Sequence, residues 1–491
     1  MNILGISAHY HDSAAALVID GVPVGAVQEE RLSRHKNDAT FPLGAIEWCL
    51  EHAGLEPADL DAVVFYERSM RKFDRILTSA LRTFPHSWRS FPEAIKNSLG
   101  EKVWARGIIS SHLGGVPRSK ILFTGHHHAH AAAAFLTAPT GRAAILTVDG
   151  VGEWSTLTVG HGERRPGGTA GLTLLREIRY PHSLGLLYST FTAYLGFDVN
   201  EDEYKVMGLA AYGRPTLMDE VRKLIRRTTD GAFTLDMDYF EYQTTAARSY
   251  SRRFVELFGR PRNPYEPIDL ESAEGRRFAD CAASVQRVLE DTLVDIARAL
   301  HQETGLSDLC LAGGVALNGV ANARILAESG FERVFVPSAP GDAGCALGAA
   351  LYADRVYLGN PDREVPDHPF WGPTVDAKEL ARAAREDDQT VEELDEAVLI
   401  ERIADRLADG CIVGWMDGAA EFGPRALGHR SILAAARRRD ARSPQPRHQV
   451  PRAVPAVRAG HTDRNGRSLL RSAAGRRAAR SLHVGRVSGA A

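Results

Sequence analysis

ILGISAHYHDSAAALVIDGVPVGAVQEERLS, residues 3–33, reads as strand, polar turn, strand, glycine-containing turn and strand. Working outward, residues 42–54 have helical spacing and DAVVFYE (61–67) is a short buried strand. KILFTG (120–125) is a strand that leads into the helix HHHAHAAAAFL (126–136). AAILTVDGVGEWSTLTVG (143–160) then repeats the strand–polar turn–strand order of the opening. Two hairpins with Gly, Ser and Asp in their turns, separated by helices, predict a duplicated α/β core. Backbone N–H groups in such turns make anion-binding nests, so a phosphate gripped between two lobes is expected. Two unrelated hairpins are the plainer alternative.

The chain of 491 residues is too long for one hydrophobic core, so two or three domains are expected. Its 44% hydrophobic and 25% charged residues are ordinary for a soluble protein. No apolar run approaches the roughly 20 residues of a membrane span, and the N-terminus lacks the basic segment and cleavage site of a secretory leader. Cys49, Cys281, Cys310, Cys345 and Cys411 are isolated, which suits a reducing cytoplasm. The net charge of −3 hides an asymmetry: residues 435–491 hold fourteen Arg against two Asp, or +12, leaving −15 on the rest. An acidic body argues against a nucleic-acid partner and is compatible with a cationic small substrate.

Further along, residues 70–113 read as mixed helix and irregular, aromatic-rich chain. Residues 272–304 form a long amphipathic helix, and DLCLAGGVALNGVANARIL (308–326) is strand, glycine turn, helix. That order presents a helix N-terminus to phosphate or sugar. RVFVPSAPGDAGCALGAALYA (333–353) is strand, Pro/Gly/Asp loop, helix. The proline-rich NPDREVPDHPFWGPTVD (360–376) marks a linker, after which a second module opens near Ala377 with a helix, a strand in CIVGWMDG (411–418) and EFGPRALGHRSIL (421–433).

His126 and His130 lie four apart on the expected helix, so both imidazoles project from one face and can share a metal. A His-rich helix start can also be a cap or a surface patch. Asp149 closes an apolar strand and Asp342 sits in the PGDAG loop, both at strand ends where ligands gather in α/β folds. Two imidazoles with two carboxylates suit Fe2+, Mn2+ or Zn2+. His11, beside Asp12 in the first turn, has the pKa of a general base for a hydroxyl proton, or is a plain turn histidine. Lys36 offers positive charge to a carbonyl or phosphate oxygen, or is solvated surface. Glu203 and Lys205 read as an exposed pair.

Together these segments resemble the O-carbamoyltransferases of antibiotic and nodulation-factor biosynthesis. The matching pieces are GISAHYHDSAAALV, QEERLSRHKND, HHHAHAAAAF, VDGVGEWS, DEYKVMGLAAYG, GGVALNGVAN, PGDAGCALGAAL and EFGPRALGHRSIL, in family order up to about Ala434. The resemblance implies an actin/Hsp70-like (ASKHA) domain over 1–355, related to the tRNA threonylcarbamoyl-transfer protein. It implies a linker over 356–376 and a partial threonylcarbamoyl-adenylate-synthase-like module over 377–434. In such enzymes the second module joins carbamoyl phosphate to ATP, with Mg2+ expected, and the first moves the carbamoyl group from carbamoyl-adenylate to a hydroxyl. By the same match His126, His130, Asp149 and Asp342 hold Fe2+ or another divalent metal, and His11 is the base. Lys36 lies near the acceptor, while Glu203, Lys205, Gly313, Gly314 and Asn318 line the adenylate pocket. Arg425 and Arg430 grip phosphate in the activating module, where forked geometry favours Arg.

The chain departs from that pattern at Ala419, where family members usually carry Arg, and after Leu433. From Ala434 onward there is no Ile, Lys, Glu, Cys, Met or aromatic residue, so residues 435–491 are expected to be a disordered Arg-rich tail. Back-translated and read one nucleotide later, residues 447–460 give a segment that resembles the family's next motif, which points to a frameshift. A natural polyanion-binding tail and a sequencing error are the alternatives.

The expectation is therefore a cytoplasmic carbamoyltransferase of secondary metabolism, acting on a small hydroxyl acceptor with an impaired activation step. Rivals are a tRNA threonylcarbamoyl-transfer relative, which would bind tRNA, and a kinase of the same superfold, which would release ADP rather than AMP. An inactive truncated binding protein would hold no metal. Residues 70–113 and 216–263 are expected to shape the acceptor pocket.

Overall fold

The computed structural model describes residues 1–85, 87, 105–165, 168–245, 248–374, 376–387 and 389–435, with the backbone alone at 484–485. The expected tail, 435–491, therefore lies outside the described residues apart from Ala435 and that short piece of backbone. The chain divides into two compact units, Met1–Asp367 and His368–Ala491.

The first unit holds two five-stranded sheets of matching order. In one, β1 (Asn2–Ser7), β2 (Ala14–Ile19) and β3 (Val22–Gln28) form an antiparallel meander, and β4 (Ala62–Phe65) and β5 (Ile121–Phe123) add in parallel, giving β3-β2-β1-β4-β5. The second repeats it with β6 (Arg142–Gly152), β7 (Ser155–Arg164) and β8 (Ala170–Arg179). A small hairpin, β9 (Ile225–Arg227) with β10 (Phe233–Leu235), is inserted before β11 (Asp308–Ala312) and β12 (Arg333–Phe335) complete the order β8-β7-β6-β11-β12. The opening hairpin pattern is thus one half of a duplicated α/β core. The central strands β1 and β6 are buried along most of their length because both faces are covered, which is why they read as near-continuous apolar runs.

Covering elements follow from local chemistry. The helix Leu43–Ala53 ends at Gly54 in the left-handed conformation, where a side chain is disfavoured. Ser272 caps the helix Ala273–Thr304 by accepting from the Gly275 N–H, and Gly305 closes it in the left-handed region. Phe278, Val285 and Leu289 of that helix pack with Leu187 and Phe191 of the helix Leu184–Tyr194 in one core. The insert over 216–263 contributes Phe233, Phe240, Phe254 and Phe258 to the same core.

The helix His126–Phe135 is alanine-rich and almost wholly buried. Small residues let it lie close to the helix Gly344–Leu351, also buried throughout, and this approach aligns the two segments that carry His130 and Asp342. Among the described residues no helix is long and apolar enough to cross a membrane.

The second unit contains the helices Ala377–Glu386 and Glu396–Ala408, a short strand β13 (Glu393–Leu394), and an antiparallel pair, β14 (Ile412–Met416) and β15 (Arg430–Ala434). Here the expected helix near Ala377 and the strand in 411–418 are present.

Candidate metal centre and transfer site

His126 opens its helix and His130 follows one turn later, so their rings share a face. Asp149 comes from β6 and Asp342 from the loop before the helix Gly344–Leu351. The structure brings all four together: one ligand atom from each lies within 4.8 Å of every other, and all four residues are buried. His126 Nε2 is 3.0 Å from Asp149 Oδ2, 3.1 Å from His130 Nε2 and 3.7 Å from Asp342 Oδ1. His130 Nε2 is 3.5 Å from Asp342 Oδ1 and 3.9 Å from Asp149 Oδ2.

Donors about 2.0–2.2 Å from a common ion stand roughly 3–4 Å apart, so this set fits a divalent metal. Asp342 Oδ2 is buried with no hydrogen-bond partner, a second sign that the cluster is completed by something it binds. Burial disfavours charge on Asp149, yet the imidazoles of His126 and His130 hold its pKa well below the usual range. Burial likewise opposes the charged form of His130, but Cys345 and the two carboxylates outweigh it and raise its pKa well above the imidazole value. A cation here would replace those protons. The Nδ1 atoms of His126 and His130 have no partner, so ring orientation rests on packing. Tyr66 lies 5.3 Å from the His126 ring, and a Cβ on Gly152 would come within 1.9 Å of His126 Cδ2.

His127 and His128 point away from the cluster. His127 bonds Thr147 Oγ1 at 2.6 Å and the Ser155 carbonyl at 2.9 Å, and burial pushes its pKa down to about 3: a neutral core histidine. His128 packs edge-on to Tyr352.

His11 contacts Asp12 Oδ2 through Nδ1 at 3.0 Å, which leaves Nε2 for a substrate proton. Burial works to lower its pKa, but the Asp12 bond and the carboxylates of Asp342 and Asp149 raise it to about 9. Positive charge at the cluster would offset the part due to Asp342 and Asp149.

The remaining residues fall into two groups. Gly314 N–H donates to Asp149 Oδ1 at 3.1 Å, and Gly313 has φ +96°, where a Cβ would strike the Val148 carbonyl. Asn318 caps the helix Gly319–Glu328 and exchanges hydrogen bonds with Gln286, to which Tyr188 also donates. Glu203 does not pair with Lys205: it accepts from Ser189 Oγ at 2.8 Å and from the Asn200 N–H at 3.0 Å, while Lys205 pairs with Asp202 at 2.6 Å. Lys36 is exposed and stands 3.5 Å from Glu201. In the second unit Arg430 donates to the Pro373 carbonyl, and burial lowers the pKa of Arg425. Glu421 Oε1 shapes the loop between them by accepting from the N–H groups of Leu427, His429 and Arg430.

Residues 2–351 match the family model described as the carbamoyltransferase N-terminus, and residues 404–445 match the carbamoyltransferase C-terminus. The chain belongs to the carbamoyltransferase family. The uncharacterized protein sll1178 of Synechocystis sp. is 43% identical over 447 residues, taking in 88% of this chain and 71% of that protein. Nodulation protein NolNO of Sinorhizobium fredii is 35% identical over 438 residues, or 86% of this chain and 58% of its own. The 3'-hydroxymethylcephem-O-carbamoyltransferase of Streptomyces clavuligerus is 29% identical over 263 residues, covering 52% of this chain and 44% of that enzyme. The chain thus spans only part of the length of these relatives. Among solved structures, the activator of the 2-hydroxyisocaproyl-CoA dehydratase from Clostridium difficile is alike at a TM-score of 0.36 and 12% identity, over 72% of this chain and 94% of its own.

Sequence reasoning missed three neighbours of the carbamoyltransferase cluster: Tyr66, Gly152 and Cys345. Cys345 lies beside His130, and burial pushes its thiol up to about 11. Only its position three residues after Asp342, at a helix start, could have singled it out.

Proposed function

We propose that this chain transfers a carbamoyl group from carbamoyl-adenylate to the hydroxyl of a small secondary-metabolite acceptor. The observation that carries the reading is the convergence of His126, His130, Asp149 and Asp342 beside a histidine whose Nε2 is available. A divalent metal, Fe2+ in the family pattern, would be held by those four residues and supply positive charge for a phosphate or carbamoyl oxygen. His11 Nε2 takes the hydroxyl proton while Asp12 orients the ring. The acceptor oxygen forms a bond to the carbamoyl carbon. The bond from that carbon to the phosphate oxygen breaks, and AMP leaves with the electron pair. Gly313, Gly314 and Asn318 would line the adenylate pocket.

The donor would come from ATP and carbamoyl phosphate in the second unit, with Mg2+ bound to the nucleotide and Arg425 and Arg430 at the phosphates. Ala419 in place of Arg weakens that grip. Supplied carbamoyl-adenylate should therefore support carbamate formation, while pyrophosphate release from ATP and carbamoyl phosphate should run about 100-fold slower, the scale of one lost charge-assisted contact at an activated phosphate. Product mass spectrometry alongside a pyrophosphate assay checks both. Rapid pyrophosphate formation from ATP would remove the claim of an impaired activation step, and ADP release would point to kinase chemistry instead.

A further inference from the structure

The helix Ser69–Arg82 buries a cation to which no carboxylate among the described residues is hydrogen-bonded. Arg75 is 9% exposed, and its Nη1 is buried with no hydrogen-bond partner. Its guanidinium stands 5.4 Å from the centre of the Tyr180 ring. The nearby carboxylates are already engaged. Glu67 holds Lys72 through both oxygens at 2.9 Å, and Glu153 Oε1 accepts from the N–H groups of Arg68 and His126. A buried guanidinium without an acceptor is costly, and stacking on one ring offsets only part of that cost. Such a group is retained where a ligand completes it.

Its surroundings place it at the transfer site. Tyr10 and Glu153 are among its electrostatic neighbours. The Tyr10 ring packs 4.4 Å from His11, and Glu153 touches the start of the metal-cluster helix. Nearer the start of the same helix, Arg68 and Arg71 line a cavity of about 240 Å3 together with His126, Gly152, Glu153, Arg176 and Glu177. The acidic balance of residues 1–434 was compatible instead with a cationic substrate.

We propose that Arg75 anchors a carboxylate or phosphate oxyanion of the hydroxyl acceptor, beside the His11 that takes its proton. The inference rests on the transfer reading above. It names the class of acceptor: a hydroxylated acid. Tyr10 and Tyr180 favour one with a flat or apolar body between the acid and the hydroxyl. Arg75 is placed on the acceptor side because its neighbour Tyr10 leads to His11, whereas the glycine turn at 313–314 meets Asp149 from β11.

The test uses 4-(hydroxymethyl)benzoate and its amide as probes, with the full chain, Arg75→Gln and Arg75→Lys. Calorimetry should show the acid binding about 10- to 100-fold more tightly than the amide, the scale of a charge-assisted pair. Arg75→Gln should erase that preference, Arg75→Lys should keep part of it, and the melting temperature of Arg75→Gln should stay level or rise. Equal affinity for acid and amide in the parent chain would overturn the inference. So would a lower melting temperature in Arg75→Gln with the acid preference intact, which is the mark of a structural cation. If Arg75→Gln instead raises KM for carbamoyl-adenylate and leaves the acid-to-amide ratio alone, the oxyanion belongs to the donor and the acceptor assignment fails. Acid-selective binding without any transfer would keep this inference and sink the transfer reading; transfer without acid preference would do the reverse.

Discussion

The two units of this chain differ in how much structure stands behind their chemistry. In Met1–Asp367, the central strands β1 and β6 are covered on both faces, and the four cluster residues project from segments that are themselves buried. In His368–Ala491, the described strands β14 and β15 alternate between exposed and half-buried, with Met416 46% and Ile432 72% exposed. Buried hydrophobics there are few among the described residues: Trp371, Ala381, Ala384, Leu399, Ala420 and Phe422. Donor atoms can be held a few ångströms apart only where their supports cannot relax, because close-packed interiors are not continuously deformable. A closed scaffold carries the candidate transfer site, and a lightly packed one carries Arg425 and Arg430.

That contrast can be broken most strongly at His11. His11→Ala should lower transfer from supplied carbamoyl-adenylate by about 10^2- to 10^4-fold, the range for a general base, while leaving pyrophosphate release from ATP and carbamoyl phosphate unchanged. Separate product and pyrophosphate assays read the two steps, and equal loss in both would tie His11 to something other than the transferred proton. The pH dependence sharpens the point. With its pKa raised to about 9 by Asp12, Asp342 and Asp149, His11 is mostly protonated at neutral pH until a cation offsets the two cluster carboxylates. Cation binding at Asp149 and Asp342 should lower that pKa, so the rate should rise with pH and its midpoint should fall below 9 on metal loading. NMR titration of the His11 ring, with and without Zn2+, tests the shift; an unmoved midpoint would detach His11 from the cluster.

Gly152→Ala should have a smaller effect. Its new Cβ meets the His126 ring, so metal affinity should fall about 10- to 100-fold, as for lost support around a ligand. Competition against a chelator measures it, and unchanged affinity would mean that the ring has room to move. The smallest differences should appear in stability. Leu187→Ala, fully buried in the first unit, should cost about 2–5 kcal/mol, whereas Ile432→Ala should stay within about 0.5 kcal/mol. Denaturant melts of both variants decide it, and a larger cost at Ile432 would show a better-covered second unit than its exposure implies.

Much of the scaffold is legible in the sequence because burial imprints a period on it. The opening 3–33 and its echo at 143–160 became strands of matching sheets, and 272–304 became one helix with Ser272 as its cap. The edge strand β8 escaped because its half-exposed residues, AGLTLLREIR, mix apolar and charged positions. The helix Leu184–Tyr194 escaped for the opposite reason: it is buried nearly all round and carries no amphipathic stripe. For the candidate site, the i,i+4 spacing of His126 and His130 was readable locally, but their meeting with Asp149 and Asp342 depends on two separate crossovers. The same helical spacing turns His127 away from that face, but its partner Thr147, on β6, could not be read from it. Arg75 has no motif of its own; only its burial without a partner sets it apart.

The most direct test of the account is metal stoichiometry. The full chain is purified anaerobically, loaded with Fe2+ and desalted, alongside His130→Ala with its fold checked by circular dichroism. The account predicts about one iron per folded parent chain and almost none in the variant. An iron-free parent chain, or equal iron in both, would contradict it.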